Sequence, residues 1–156
     1  VFNNQTLRKA SIPPEQSVTK VITVENKANY ESMPYEEGTL IIYSHGYFSP
    51  DERAFLIHLE RVLSSIRTSC GTTYLHTGDL DYGGVKIFQY IKKRIFPNLQ
   101  PYLMDTQTHE QYKAYGEPIE TSKLEKLQRT TEPLLQPLID KICAEKQVIE
   151  QESFLF

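Results

Sequence analysis

The sequence predicts an α/β protein: a mainly parallel, four-stranded central sheet flanked by helices, with a C-terminal helical extension. Three observations predict it. Short apolar or β-branched runs alternate with segments of helical periodicity, as parallel strands joined by crossovers require. The first three runs each stop at an acid or a glycine, at Glu25, Gly46 and the Gly78-Asp79 pair. Beyond Thr106 the strand pattern gives way to helical spacing.

Residues 20–24, KVITV, are β-branched on both faces, which suits a buried parallel strand, and they end at Glu25. A polar stretch containing Tyr30, Met33 and Pro34 leads to the second run, TLIIYSHG at 39–46. Ser49, Pro50 and Glu52 then read as a helix start: a capping hydroxyl, proline in the first helical position, and a carboxylate three residues after the cap. Phe55, Leu56, Leu59, Val62, Leu63 and Ile66 recur at helical spacing and give that crossover helix a face for the sheet.

The third run, TTYLHTG at 72–78, leads into Asp79, Leu80, Asp81 and the Gly83-Gly84 pair, where glycines allow a turn. Val85, Phe88, Ile91 and Ile95 mark the next helix, with Lys92, Lys93 and Arg94 at its C-terminal end, where cations suit the macrodipole, and Pro97 closing it. LQPYLM at 99–104 is the fourth strand and ends at Asp105, with Pro101 placing it near a strand start. In the extension, Ser122 and Glu125 read as a capping pair, and apolar residues from Leu134 to Ile142 as a helix face. The expected organisation is a lead-in over 1–19, a core over 20–105, and an extension of the same domain over 106–156.

At 156 residues the chain is long enough for one core. Its 24% charged and 39% hydrophobic residues are those of a globular protein. No apolar stretch approaches the roughly 20 residues of a membrane helix, and no signal pattern opens the chain, so a cytoplasmic location without membrane attachment is expected. A start at Val1 suggests a piece of something longer. Cys70 and Cys143 are isolated thiols without zinc or disulfide spacing and read as packing residues. A formal charge of −3 excludes coating of nucleic acid by bulk electrostatics, so any DNA contact is local.

Ligands of open parallel sheets bind beyond the carboxyl ends of the strands, where Glu25, Gly46, Asp79 and Asp105 fall. Converging carboxylates need a cation, and oxygen ligands suit magnesium or manganese. Glu25, Asp79 and Asp81 are therefore the candidate metal ligands and catalytic residues. Asp105, Glu152, Gly46, Gly84 and His45 form a second tier. For Asp105 and Glu152, helix capping and a solvated tail face are equally good readings. His45 and His76 each stand alone, as structural histidines usually do. Lys86, Lys92, Lys93 and Arg94 are candidate DNA contacts, against the alternative of an ordinary solvated helix end. The N-terminus of the helix after the metal loop offers free N–H groups for a phosphate. Removing Asp79 or Asp81 is expected to relieve repulsion without lowering stability.

VENKANY at 24–30, SHGY around Gly46 and GDLDYGG at 78–84 resemble Toprim motifs in their usual order. More narrowly, VEN after the first strand, GDLD followed by Gly84, Met104-Asp105, and Ile149-Glu150-Gln151-Glu152 resemble the C-terminal domain of the JetD family, the nuclease of Wadjet defence. The resemblance runs from about Val21 to Glu152. It implies a Toprim fold related to the topoisomerase VI A subunit, working with an SMC-like motor on plasmid DNA; a homodimer is compatible with that assembly. By position, Glu25 matches the Toprim glutamate, Asp79 and Asp81 the metal-binding pair, and Gly46 the loop glycine.

The expected function is thus metal-dependent DNA cleavage with water as nucleophile. Tyr43, Tyr47 and Tyr82 lie near the proposed site, but topoisomerase relatives draw their attacking tyrosine from a separate winged-helix domain. Three other readings stay open. One is a non-catalytic module that grips DNA or a partner through the metal; another is topoisomerase VI A-like strand cleavage. The third, a receiver-like domain, expects two acids after the first strand, where Glu25-Asn26 supplies one.

Overall fold

The computed structural model describes residues 17–65 and 71–156. Ile66, Cys70 and most of the expected lead-in lie outside them. Four parallel strands, β1 (Lys20–Val24), β2 (Thr39–Tyr43), β3 (Thr73–Thr77) and β4 (Gln100–Pro101), form one sheet in the order β2-β1-β3-β4. Val21 through Val24 are all buried, as expected of a central strand covered on both faces. The chain leaves β1 for β2 on one side and then crosses to β3 on the other. The switch in direction therefore falls between β1 and β3, where such sheets hold ligands.

Helix α1 (Lys27–Ser32) starts at Asn26, whose side chain accepts from the Ala28 and Asn29 amides. The helix expected from the Ser49-Pro50-Glu52 signal is α2 (Pro50–Ser65). Its capping box is formed: Ser49 N donates to Glu52 Oε2 at 2.7 Å, and Glu52 N to Ser49 Oγ at 3.3 Å. Leu56, Leu59 and Leu63 of α2 are buried in the same core as Val85, Phe88 and Ile91 of α3 (Tyr82–Arg94).

The fourth strand is shorter than residues 99–104 suggested. Only Gln100 and Pro101 pair with β3, and the chain then turns into α4 (Thr106–Tyr112). The extension continues through β5 (Glu117–Pro118), α5 (Thr121–Gln128), α6 (Gln136–Glu145) and β6 (Gln147–Val148). It is not wholly helical, because β5 and β6 pair antiparallel. Ser122 and Glu125 do not cap α5, which begins one residue earlier, at Thr121, with no side-chain cap. The last turn, Gln151–Phe154, returns to the carboxyl edge of the main sheet, preceded by an antiparallel bridge between Leu80 and Ile149.

Candidate functional site

The parallel register sets the carboxyl ends of β1 and β3 side by side: Val24 lies opposite Thr77, and the Glu25 amide donates to Thr77 O at 3.0 Å. Each strand then releases an acid into the same corner. Glu25 reaches across, and its Oε2 accepts from the Asp79 amide at 3.1 Å. Gly78 allows this approach, since a Cβ there would lie 2.3 Å from Glu25 Oε2. Asp79 Oδ1 accepts in turn from the Gln151 amide at 2.7 Å.

Burial pushes the Glu25 carboxyl up to about 7, helped by the charges of Asp79 and Asp81 and opposed by the Asp79 N–H. Burial likewise raises Asp79 to about 6, with Asp81, Glu150 and Glu152 adding to it against the Gln151 N–H. Among the described residues, no cationic side chain forms an ion pair with Glu25, Asp79, Asp81 or Glu152. Crowded, half-buried carboxylates without a cation are chemically suited to a hard divalent ion.

Glu25, Asp79 and Glu152 line one cleft of about 380 Å³ with Asn26, His45 and Gly46. Asp81 is adjacent and already engaged: it is the N-cap of α3, and its Oδ1 accepts from the Gly84 amide at 2.7 Å. No three Asp, Glu, His or Cys side chains among the described residues stand as a ready-made metal cage. The same contact occupies one of the N–H groups expected to be free for a phosphate. It also gives Asp81 a stabilising role, so its removal carries a cost the sequence reading left out.

Gly84 serves close approach rather than a permissive turn, since neither it nor Gly83 has a positive φ, and a Cβ at Gly84 would lie 2.0 Å from Asp79 O. Gly46 does need its freedom, at φ 97°. His45 lines the cleft, and its Nε2 lies 3.1 Å from Glu52 Oε1. Glu152 Oε1 accepts from Asn26 Nδ2 at 3.0 Å. Asp105 is not among the cleft residues and caps α4, accepting from the Thr108 amide at 2.7 Å.

His76 is fully buried with Nδ1 2.8 Å from Thr23 Oγ1, and burial lowers its pKa to about 3. Lys86, Lys92, Lys93 and Arg94 line a separate groove of about 580 Å³ along α3. Lys92 is tied there to Glu132 at 3.5 Å.

Sequence reasoning missed Gln151, which is fully buried beside the site and does not line the cleft. Its Oε1 accepts from the Asn26 amide and its Nε2 donates to Thr77 Oγ1, each at 3.0 Å. Asn29 Nδ2 holds the same turn through the carbonyls of Gln151 and Phe154, at 3.0 and 3.1 Å. No local pattern announces these contacts, which span 122 to 125 residues for Asn26 and Asn29.

No helix among the described residues is long and apolar enough to cross a membrane. Residues 3–156 match the model of a family described as Wadjet protein JetD, C-terminal. The Wadjet protein JetD of Bacillus cereus (strain Q1) is 34% identical over 137 residues, which cover 85% of this chain and 32% of that protein. The match thus spans about a third of the relative's length. By both comparisons, the chain belongs to the JetD C-terminal family.

Proposed function

We propose that this chain is a Toprim-type nuclease domain that hydrolyses DNA phosphodiesters with magnesium or manganese held at Glu25, Asp79 and Asp81. One observation carries the reading: two half-buried carboxylates from adjacent strand ends share a corner with no cationic side chain paired to them among the described residues, bridged by the Glu25–Asp79 amide contact. Bound there, the metal supplies charge shielding for a phosphate and a more acidic water. Glu25 would either hold a second ion or handle the proton. Asp79 is aimed by the Gln151 N–H, and Asp81 brings its second oxygen while its first caps α3. Lys86, Lys93 and Arg94 hold the DNA backbone beside the site. JetD family membership supports a place in Wadjet-type defence, acting on plasmid DNA with an SMC-like motor.

The test is twofold. Manganese-soaked crystals should give anomalous density in the cleft bounded by Glu25 and Asp79, and the full-length protein with its partners should cut plasmid DNA only with metal. Density elsewhere, or cleavage in chelator, refutes the reading. The commitment of Asp81 to a helix cap favours one second reading, a module that grips DNA or a partner through metal without cutting. Metal binding with no cleavage by the full assembly would select it.

A further inference from the structure

The cations of this acidic chain are unevenly placed. Along α3, Tyr82, Lys86, Gln89 and Lys93 fall within one helical stripe, because they recur at spacings of three, four and seven. From Tyr82, next to the Asp81 cap, to Lys93 the stripe runs roughly 16 Å at 1.5 Å per residue. It therefore starts at the acidic site and leads away from it. Its outer part borders the groove with Tyr47, which is 55% exposed and packs edge-on against Tyr90 at 5.0 Å.

A second element adds to the start of this stripe. Lys123 and Lys126 of α5 are exposed, and their ammonium groups stand 5.7 and 6.0 Å from the centroid of the Tyr82 ring. The ring face positions them without neutralising them. Lys86, Lys93, Arg94, Lys123 and Lys126 form no ion pair with an acid among the described residues; Arg53, Arg61, Arg129 and Lys146 likewise form none, whereas Lys20, Lys27, Lys92, Lys113 and Lys141 each have at least one. Unpaired cations on one track, in a chain of net charge −3, suit a polyanion laid along that track.

We propose that Lys123 and Lys126 on α5, held over Tyr82 and joined by Lys86, form a clamp for the DNA backbone at the metal-proximal end of the α3 stripe. The inference rests on the DNA reading above but not on cleavage or metal. Each clamped phosphate releases counterions, so each lysine sets part of the salt dependence of binding.

The experiment measures fluorescence anisotropy of labelled duplex DNA with this chain from low to moderate salt, in chelator. The parent should bind at low salt. Lys123→Ala/Lys126→Ala should melt with the parent, bind more weakly, and show a log–log salt slope shallower by about 1.8, or 0.9 for each lost phosphate contact. Lys113→Ala, at a cation already paired with Glu110, should leave the slope unchanged. Three results overturn the proposal: no binding by the parent at the lowest salt, an unchanged slope in the double variant, or equal binding of polyglutamate at matched charge. The last would make the track a site for an acidic protein segment. If the slope shifts as expected while the full assembly never cuts DNA, the clamp stands and the nuclease reading falls.

Discussion

Glu25→Gln should stabilise the protein at alkaline pH when metal is absent. In the folded chain the Glu25 carboxyl titrates near 7 instead of 4.5, with burial as the main cause and Asp79 next. A raised acid favours folding while it is protonated. Its contribution is complete below about pH 4.5 and is lost as pH rises through about 7. A shift of roughly 2.5 units corresponds to about 3 kcal/mol at most, at 1.36 kcal/mol per unit. Glutamine keeps a carbonyl oxygen for the Asp79 amide and carries no charge to desolvate. In chelator at pH 8 the variant should therefore melt higher than the parent by about 6–12 °C, at roughly 2–4 °C per kcal/mol for a chain of this size. At pH 5 the two should nearly coincide. Calorimetry at both pH values makes the comparison. An equal or lower melting temperature for the variant at pH 8 refutes the claim that Glu25 is held as an uncompensated, half-buried charge. Added manganese should then raise the parent's melting temperature at pH 8 more than the variant's, because a ligand that binds only the folded state stabilises it by mass action.

The other contacts give sharper local tests. Asp81→Ala should lose about 1 kcal/mol in a denaturant melt, because it removes the Gly84 cap, while Asp81→Asn keeps a cap oxygen and should melt near the parent; both should stop cleavage in the full-length assembly. Gln151→Leu leaves the Asn26 amide without its acceptor and should cost about 1–3 kcal/mol, with weaker manganese binding by titration calorimetry; unchanged metal affinity would separate this residue from the site. His76 is depressed to about 3 by burial, so its contribution is present above about pH 6.5 and lost as pH falls toward 3. Ring chemical shifts should accordingly report a neutral His76 at pH 5, and a protonated ring in the folded protein would contradict its burial.

Features set by near neighbours were legible in the sequence. The β-branched run at 20–24 and the Ser49-Pro50-Glu52 signal depend on residues within one turn or one strand, and both appear as read. Glu25 and Asp79 were brought together by a topological argument, and the β1–β3 register bears out their adjacency. What local pattern could not supply was orientation. A D-x-D pair does not reveal that the second aspartate turns to cap the helix that follows it. Likewise, the apolar letters of LQPYLM do not show that pairing ends at Pro101, after which Asp105 starts a helix instead of joining the cleft. Gly83-Gly84 looked like turn chemistry, but a glycine chosen for close backbone approach has the same signature in sequence.

The placement of Gln151 changes how the C-terminal extension should be understood. Were it only a helical cover, its removal would expose apolar surface and leave the acids where they are. Instead its last turn touches both strand ends: Gln151 bonds to Asn26 after β1 and to Thr77 of β3, and its amide orients Asp79. The Leu80–Ile149 bridge aligns that turn, and Asn29 secures its far side. The Asp79 carboxylate is thus held at the corner it shares with Glu25 by a hydrogen bond from a residue 72 positions away along the chain. Docking of the C-terminal turn therefore bears directly on how the Asp79 carboxylate is presented beside Glu25.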